Sequence, residues 1–461
     1  MNKYKRLFND SLIYMIGNFG SKLVSLIMVS FYTYTLSTSD YGTLDVTQTT
    51  IYMLLPLVTC CVHEAILTYT LKTECESNQV LSNGMLIFSV NMIALIVLAV
   101  CSYWIVPNAN TKWIVVLIVL EGINTILLQY CRAIDQTKIY AFSGIITTFI
   151  ISASNIVFLK YWKMGLQGYY LSMTIAYFLS ICILVIGSKA YKNVSIHAID
   201  IGIIKKMLKF SLPLIPNSLM WWGMNMLDKY VILYYLGNSY NGIYAVAAKI
   251  PTILTTLSSI FIQAWQVSAI RESDSEDKDV FHTKIFDGLL FFNFLAMSGI
   301  LVILKPLLAV TINSDYTNVW KYVPFLLLGT VFSSLAAFLE ANYHASKQTK
   351  KLLKSSITGV VSNLILNLIL VQIVGLNGAA IATAASFALI CMIRIIDSKE
   401  FVKIQFKIKK YGLYSFIILA EMLAVYYTNA ITTAIVCICA VGGILVINRD
   451  FIRTMFPKNK Q

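Results

Sequence analysis

Apolar runs of about twenty residues recur along almost the whole chain, and they decide what it can fold into. Met85–Val106, Ile114–Cys131 and Gly412–Tyr427 are three of them. A helix of that length crosses a hydrocarbon core about 30 Å thick. Charged residues make up 13% of the 461 residues, about half the share in a soluble domain, and hydrophobic residues make up 58%. A transmembrane barrel would need shorter segments of alternating polarity. The sequence therefore predicts an all-α polytopic membrane protein.

Spans are expected near 11–36, 43–70, 83–106, 112–131, 139–159, 166–187, 208–236, 242–270, 285–304, 321–343, 351–373, 376–394, 411–428 and 430–447. That makes 14 transmembrane helices with both termini on the cytoplasmic side. The distribution of basic residues tests the alternation. Of the 36 Lys and Arg, 28 fall on the inner side and 5 on the outer, with Lys22, Lys229 and Lys249 inside spans. A missed or invented helix would scramble that asymmetry downstream of the error. Trp104, Trp113, Trp162 and Trp320 stand at expected outer ends, as an aromatic belt would place them. The loops between spans are too short for a folded extramembrane domain. The net charge of +14 lies in those loops, which is the topogenic pattern and argues against a nucleic-acid partner. The basic start leads into a stretch interrupted by Gly17, Asn18, Gly20 and Lys22, which predicts a retained first helix. The nine Cys and four His show no metal-ligand spacing, and no catalytic cluster is evident.

Within this pattern the chain repeats itself. QTKIYAFSGIITTFIISASN (136–155) and QTKKLLKSSITGVVSNLILN (348–367) share six residues and lie 212 residues apart. Gly165-Leu166-Gln167-Gly168 follows the first and Gly375-Leu376-Asn377-Gly378 the second. Both copies would begin at the cytoplasm. Six helices separate them, so the chain divides into two parallel-repeat six-helix bundles. The expected boundaries are 1–190 for the first bundle, 191–207 for a cytoplasmic linker and 208–397 for the second bundle. Residues 398–461 then form a basic cytoplasmic loop, helices 13 and 14, and a tail. Parallel repeats of this kind place transport sites between the halves.

Polar residues inside spans fall on helical stripes. Asn18, Lys22 and Ser25 share one, and Asn217, Trp221, Asn225 and Asp228 another, with Lys229 beside it. Lys249, Thr252, Thr256, Ser259 and Gln263 form a third, and Asp45, Gln48, Tyr52, Thr59 and His63 a fourth. Ionisable residues at such depth face protein or a water-filled cavity. Lys22, Lys229 and Lys249 are candidate cations for a ligand, with Asn18, Asn225 and Trp221 nearby. Asp228 and Lys249 could equally pair structurally. Asp45, Glu121, Asp228 and Glu421 are candidates for ion coupling or structural ion pairs. Gly17 and Gly20, and Pro213 and Pro216, interrupt the inner halves of two corresponding spans and mark a hinge or a static kink.

Lys209–Lys249, KFSLPLIPNSLMWWGMNMLDKYVILYYLGNSYNGIYAVAAK, resembles the start of the second half in polysaccharide repeat-unit flippases. The shared features are Pro-X-X-Pro, an Asp-basic pair, and Leu-Gly followed by Gly-Ile-Tyr. Gly375–Thr383 resembles the same family, which belongs to the superfamily of MATE exporters and peptidoglycan-precursor flippases. The resemblance implies a transporter, not an enzyme, in a bacterial cytoplasmic membrane. Its implied cargo is a polyprenyl-diphosphate-linked glycan for O-antigen, capsule or exopolysaccharide. It also implies contact with membrane lipids and the polysaccharide polymerase machinery, and no cofactor. Coupling to H+ or Na+ stays open. The alternatives are a MATE-like cation-coupled multidrug antiporter, which favours an acidic cavity, and a peptidoglycan-precursor or teichoic-acid flippase. A membrane glycosyltransferase or polymerase fits poorly, because no outer loop carries a carboxylate cluster.

Overall fold

Helices follow one another with little between them. The computed structural model describes residues 24–71, 76–105, 111–271, 278–345, 348–400, 402–405 and 407–449. The helices are α1 (Val24–Thr35), α2 (Thr38–Thr59), α3 (Val62–Leu71), α4 (Ser77–Ile105), α5 (Thr111–Ala133) and α6 (Thr137–Asn155). Then come α7 (Gly165–Ser188), α8 (Ala190–Asn193), α9 (Ile201–Ser211), α10 (Leu214–Leu236), α11 (Asn238–Lys249) and α12 (Thr252–Arg271). The last six are α13 (Lys278–Thr311), α14 (Val323–Ala345), α15 (Thr349–Val374), α16 (Leu376–Ser398), α17 (Ile408–Tyr427) and α18 (Ala430–Ile447). Among the described residues there is no strand. Among the described residues, nine helices are long and apolar enough to cross a membrane, or up to ten spans if the bent pair α2–α3 counts as one. The chain is thus a multi-pass helical membrane protein. Much of each span faces outward through apolar side chains such as Phe149, Ile369 and Val446. Lipid, not protein, covers such faces. The chain forms two compact units, one ending at Met226 and the other beginning at Leu227, within α10.

The repeated sequence has a repeated backbone. Gln136 precedes α6 with φ −92° and ψ 53°, and Gln348 precedes α15 with φ −91° and ψ 48°. Each closes the preceding turn the same way. The Gln136 N–H donates to the Cys131 carbonyl at 2.8 Å, and the Gln348 N–H to the Tyr343 carbonyl at 2.9 Å. Outward and inward positions also agree. Ile145 and Phe149 are exposed, as are Ile357 and Val361, while Ser143 and Asn155 are buried, as are Ser355 and Asn367. Gly165 and Gly375 turn the chain with φ of +55° and +65°, a region where a Cβ is strained. The product in each unit is a packed helix pair, α6 on α7 and α15 on α16.

Two features depart from an uninterrupted reading of the sequence. The second span, expected over 43–70, breaks between α2 and α3 with a bend of 54°. Pro56 has no N–H to extend the helical ladder. Cys60 and Cys61 then take left-handed φ values of 47° and 50°. The Cys61 N–H is satisfied by the Pro56 carbonyl at 3.2 Å and the Thr59 hydroxyl at 3.3 Å. The Asn91 amide donates to Cys60 Sγ at 3.0 Å.

The segment after α7 is also more ordered than its polarity indicates. The Ser195 N–H donates to Ser82 Oγ at 3.0 Å, and the Asp200 N–H to Asn83 Oδ1 at 2.9 Å. Asn83 Nδ2 donates to the Ala198 carbonyl at 3.1 Å, and Asn193 Nδ2 to the Tyr130 hydroxyl at 2.8 Å. Buried side chains of α4 and α5 thereby fasten residues 193–200 to the first unit.

Candidate functional site

In the first unit, polar groups from α2, α5 and α7 converge. Asp45 is buried on α2 at 4% exposure, and Gln48 Nε2 lies 3.4 Å from the Tyr169 hydroxyl of α7. Glu121 on α5 is met by the hydroxyl of Tyr177, two turns beyond Tyr169 on the same helix. Tyr52 is near both Glu121 and Asp45. The network continues through ring contacts. Tyr169 meets Tyr32 edge to face at 5.3 Å, and the Tyr32 hydroxyl accepts from Asn155 Nδ2 at 2.9 Å. The two acids therefore lie in one polar cluster with Tyr52, Tyr169 and Tyr177.

The adjoining part of α10 separates its two tryptophans. Trp222 Nε1 donates to the Thr49 carbonyl at 3.0 Å and anchors the helix on α2. Trp221 points the other way, at 42% exposure, with Asn217 and Asn225 open on the same face. Pro213 and Pro216 are exposed at the start of α10, where α9 ends at Ser211 and the helix is interrupted.

The second unit holds Asp228 at 7% exposure. The Tyr244 hydroxyl donates to its Oδ2 at 2.5 Å, and the Lys229 N–H to its Oδ1 at 2.9 Å. Lys229 and Lys249 are half-buried on α10 and α11. Along α12, Thr252 is exposed, Thr256 buried and Ser259 half-buried. Glu421 belongs to a different contact, where α17 packs against α13 and α18. It is fully buried, accepts from Ser298 Oγ at 2.9 Å, and faces the Cys437 thiol. Lys22, Asn18, Gly17 and Gly20 lie outside the described residues. Among the described residues no group of three or more His, Cys, Asp or Glu could hold a metal ion.

Comparison with known proteins adds the family. The model of the family described as polysaccharide biosynthesis protein matches residues 7–266, more than half of the chain. The chain belongs to that family. A curated relative from Haloferax volcanii, the probable low-salt glycan biosynthesis flippase Agl15, is 27% identical over 215 residues. That match covers 45% of this chain and 45% of the relative, so less than half of the relative's length is spanned. Among solved structures, the lipid II flippase MurJ in an inward closed conformation superposes with a TM-score of 0.69 at 16% identity. It covers 96% of this chain and 100% of that one. An inward-facing multidrug resistance MATE family transporter of the MOP superfamily gives 0.66 at 12% identity, covering 82% and 94%. The chain shares the fold of these transporter structures.

The structure gives the family-like motif a physical reason. Asp228 of the Asp-Lys pair and Tyr244 of Gly242-Ile243-Tyr244 are hydrogen-bonded to each other, so the two pieces form one contact across the α10–α11 turn. Sequence reasoning missed Tyr169, Tyr177 and Tyr244 as partners of the acids. Tyrosine on a spanning helix usually signals only an interface or a packed ring. The spacing of Tyr169 and Tyr177 on one face of α7 was the available signal.

Proposed function

We propose that this protein is a flippase for polyprenyl-diphosphate-linked oligosaccharide repeat units. It would move them from the cytoplasmic to the outer leaflet of a cytoplasmic membrane, for assembly of a surface polysaccharide. Membership of the polysaccharide biosynthesis family is the observation that carries this reading. The physical problem is large. Each sugar hydroxyl moved unpaired into hydrocarbon costs roughly 2–7 kcal/mol. A few sugars and a diphosphate raise that to tens of kcal/mol by the same measure. A cationic central cavity open to water would remove most of that barrier, while the prenyl tail stays in lipid.

The residues support the parts of this reading separately. Lys22, Lys229 and Lys249 attract the diphosphate as point charges that tolerate a moving ligand. Trp221, with Asn18 and Asn225, contacts the sugars, and Trp221 and Asn225 are exposed on one face of α10. The two bundles alternate access by rocking, with Pro213 and Pro216 and, in the first span, Gly17 and Gly20 as hinges. The division into six, six and two helices, and delivery to a polymerase, belong to the same proposal. An inside-negative potential favours outward movement of the diphosphate by about 2.3 kcal/mol per charge per 100 mV. The shared polar core of Asp45 and Glu121, or the sites at Asp228 and Glu421, would hold H+ or Na+ if flipping is coupled. That acidic core also favours one second reading, a cation antiporter of the MATE type.

A deletion strain separates the two. Loss of the gene is expected to accumulate the diphosphate-linked repeat unit and abolish the surface polymer. Complementation with Trp221→Ala is expected to restore protein level but lower polymer output about two- to tenfold, the worth of an aromatic stacking contact. Trp222→Ala is expected to lower protein level instead, because it removes an anchor on α2. Unchanged lipid-linked glycans together with new sensitivity to cationic dyes would turn the reading to the antiporter.

A further inference from the structure

The segment that follows α7 shows an uncovered face of unusual composition. α9 turns Ile203, Met207 and Ser211 inward, against α3 and α4. Its opposite face carries Ile201 at 68% exposure with Lys205 and Lys209, and Lys206 at its edge, all exposed, while Phe210 packs edge to face on Tyr69 of α3 at 5.9 Å. One turn earlier in the chain, Ile196 is 83% exposed. These side chains are held where they are. The Ser82 and Asn83 clamp fixes residues 195–200, and Asp200 caps α9 by accepting from the Gly202 N–H at 2.6 Å. The face therefore cannot fold inward and bury itself. α7 is a spanning helix that ends at Ser188, so the segment starts at the bilayer surface.

We propose that residues 196–210 form an interfacial anchor that seats in a leaflet of anionic phospholipid. Ile196 and Ile201 enter the acyl boundary, and Lys205, Lys206 and Lys209 meet phosphates. Such helices bind by apolar burial together with attraction to anionic lipid. Lysine serves this geometry, because its stem lies along apolar surface while its ammonium reaches the headgroups. A protein partner fits less well, since interface cores are depleted of lysine. The anchor follows from the linker alone and holds whatever cargo the chain moves.

The test uses the full-length chain, purified with mixed phosphatidylglycerol and phosphatidylcholine. Native mass spectrometry reads which lipid stays bound. The triple variant K205E/K206E/K209E is expected to lose phosphatidylglycerol preference by roughly tenfold or more, and K205R/K206R/K209R to keep it. In nanodiscs, lipids brominated near the headgroup end of the acyl chain are expected to quench the added emission of I201W. An unchanged lipid ratio in the charge-reversed protein would overturn the proposal. So would an I201W signal quenched by aqueous iodide and not by brominated lipid, or one shielded by a co-purifying protein.

Discussion

Replacing Arg394 by leucine alone is expected to destabilise the second unit by about 3–5 kcal/mol. Arg394 is 3% exposed near the end of α16. Its Nη1 lies 3.1 Å from Glu340 Oε2 and 2.7 Å from the Ala336 carbonyl. Its Nε and Nη2 donate to Ser355 and Ser356 at 3.2 and 3.1 Å. Removing the guanidinium takes a buried charge from beside the Glu340 carboxylate and a donor from the Ala336 carbonyl, while Ser355 and Ser356 still donate to the Leu352 carbonyl. The repeat supplies the control. Counting from the shared Gln-Thr-Lys and Gly-Leu-X-Gly, Leu128 and Leu184 of the first half occupy the positions of Glu340 and Arg394. Leu184 is fully buried, so the same helix pair packs with a hydrocarbon there. The double variant E340L/R394L is therefore expected to recover most of the lost stability, as replaced buried ion pairs often do. Thermal unfolding of the three proteins in one detergent checks this. A stable R394L would mean that the network contributes little.

The second large effect is steric. An added Cβ at Gly378 would stand 2.1 Å from the Leu370 carbonyl oxygen, 2.3 Å from its carbon and 2.7 Å from the Val371 nitrogen. These are backbone atoms of α15 and cannot rotate away. Gly378→Ala is expected to cost about 3 kcal/mol or more, the upper range for overpacking. At Gly168, the corresponding glycine, the nearest atoms are the Met164 and Phe158 Cβ atoms at 2.9 and 3.0 Å. The nearest backbone atom there is the Phe158 carbonyl carbon at 3.5 Å. Gly168→Ala is expected to cost about 1–2 kcal/mol, since less has to move. Folded yield on size exclusion and the melting temperature distinguish the two. Equal losses would contradict the difference in helix approach.

The parts of the fold set by local chemistry were legible in the sequence. Apolar length specified spanning helices, and Gln-Thr-Lys with Gly-Leu-X-Gly specified a helix pair that the structure builds twice. Features that depend on tertiary partners were not legible. Nothing near Cys60 and Cys61 announces two left-handed residues, because cysteine has no turn preference of the kind that glycine or asparagine has. The clamp on residues 193–200 depends on Ser82 and Asn83, more than a hundred positions away. The stripe Asn217, Trp221, Asn225 and Asp228 reads as one face at helical spacing. In the structure its first three members are open and Asp228 is packed against Tyr244. Periodicity groups residues by angle, but what lies opposite decides which of them are buried. The acids were expected as ion-coupling or ion-pair candidates, whereas their tyrosine and serine partners came only from three-dimensional contact.

Transport itself is the central claim, and reconstitution measures it most directly. The purified chain is placed in sealed proteoliposomes with a fluorescent polyprenyl-diphosphate oligosaccharide in the inner leaflet. A membrane-impermeant glycosidase outside reads its arrival in the outer leaflet. The account predicts protein-dependent arrival that is slowed by Trp221→Ala and by Lys229→Ala/Lys249→Ala, with a nonglycosylated lipid left in place. A glycolipid that stays in the inner leaflet while a cationic dye crosses the same membrane would contradict it.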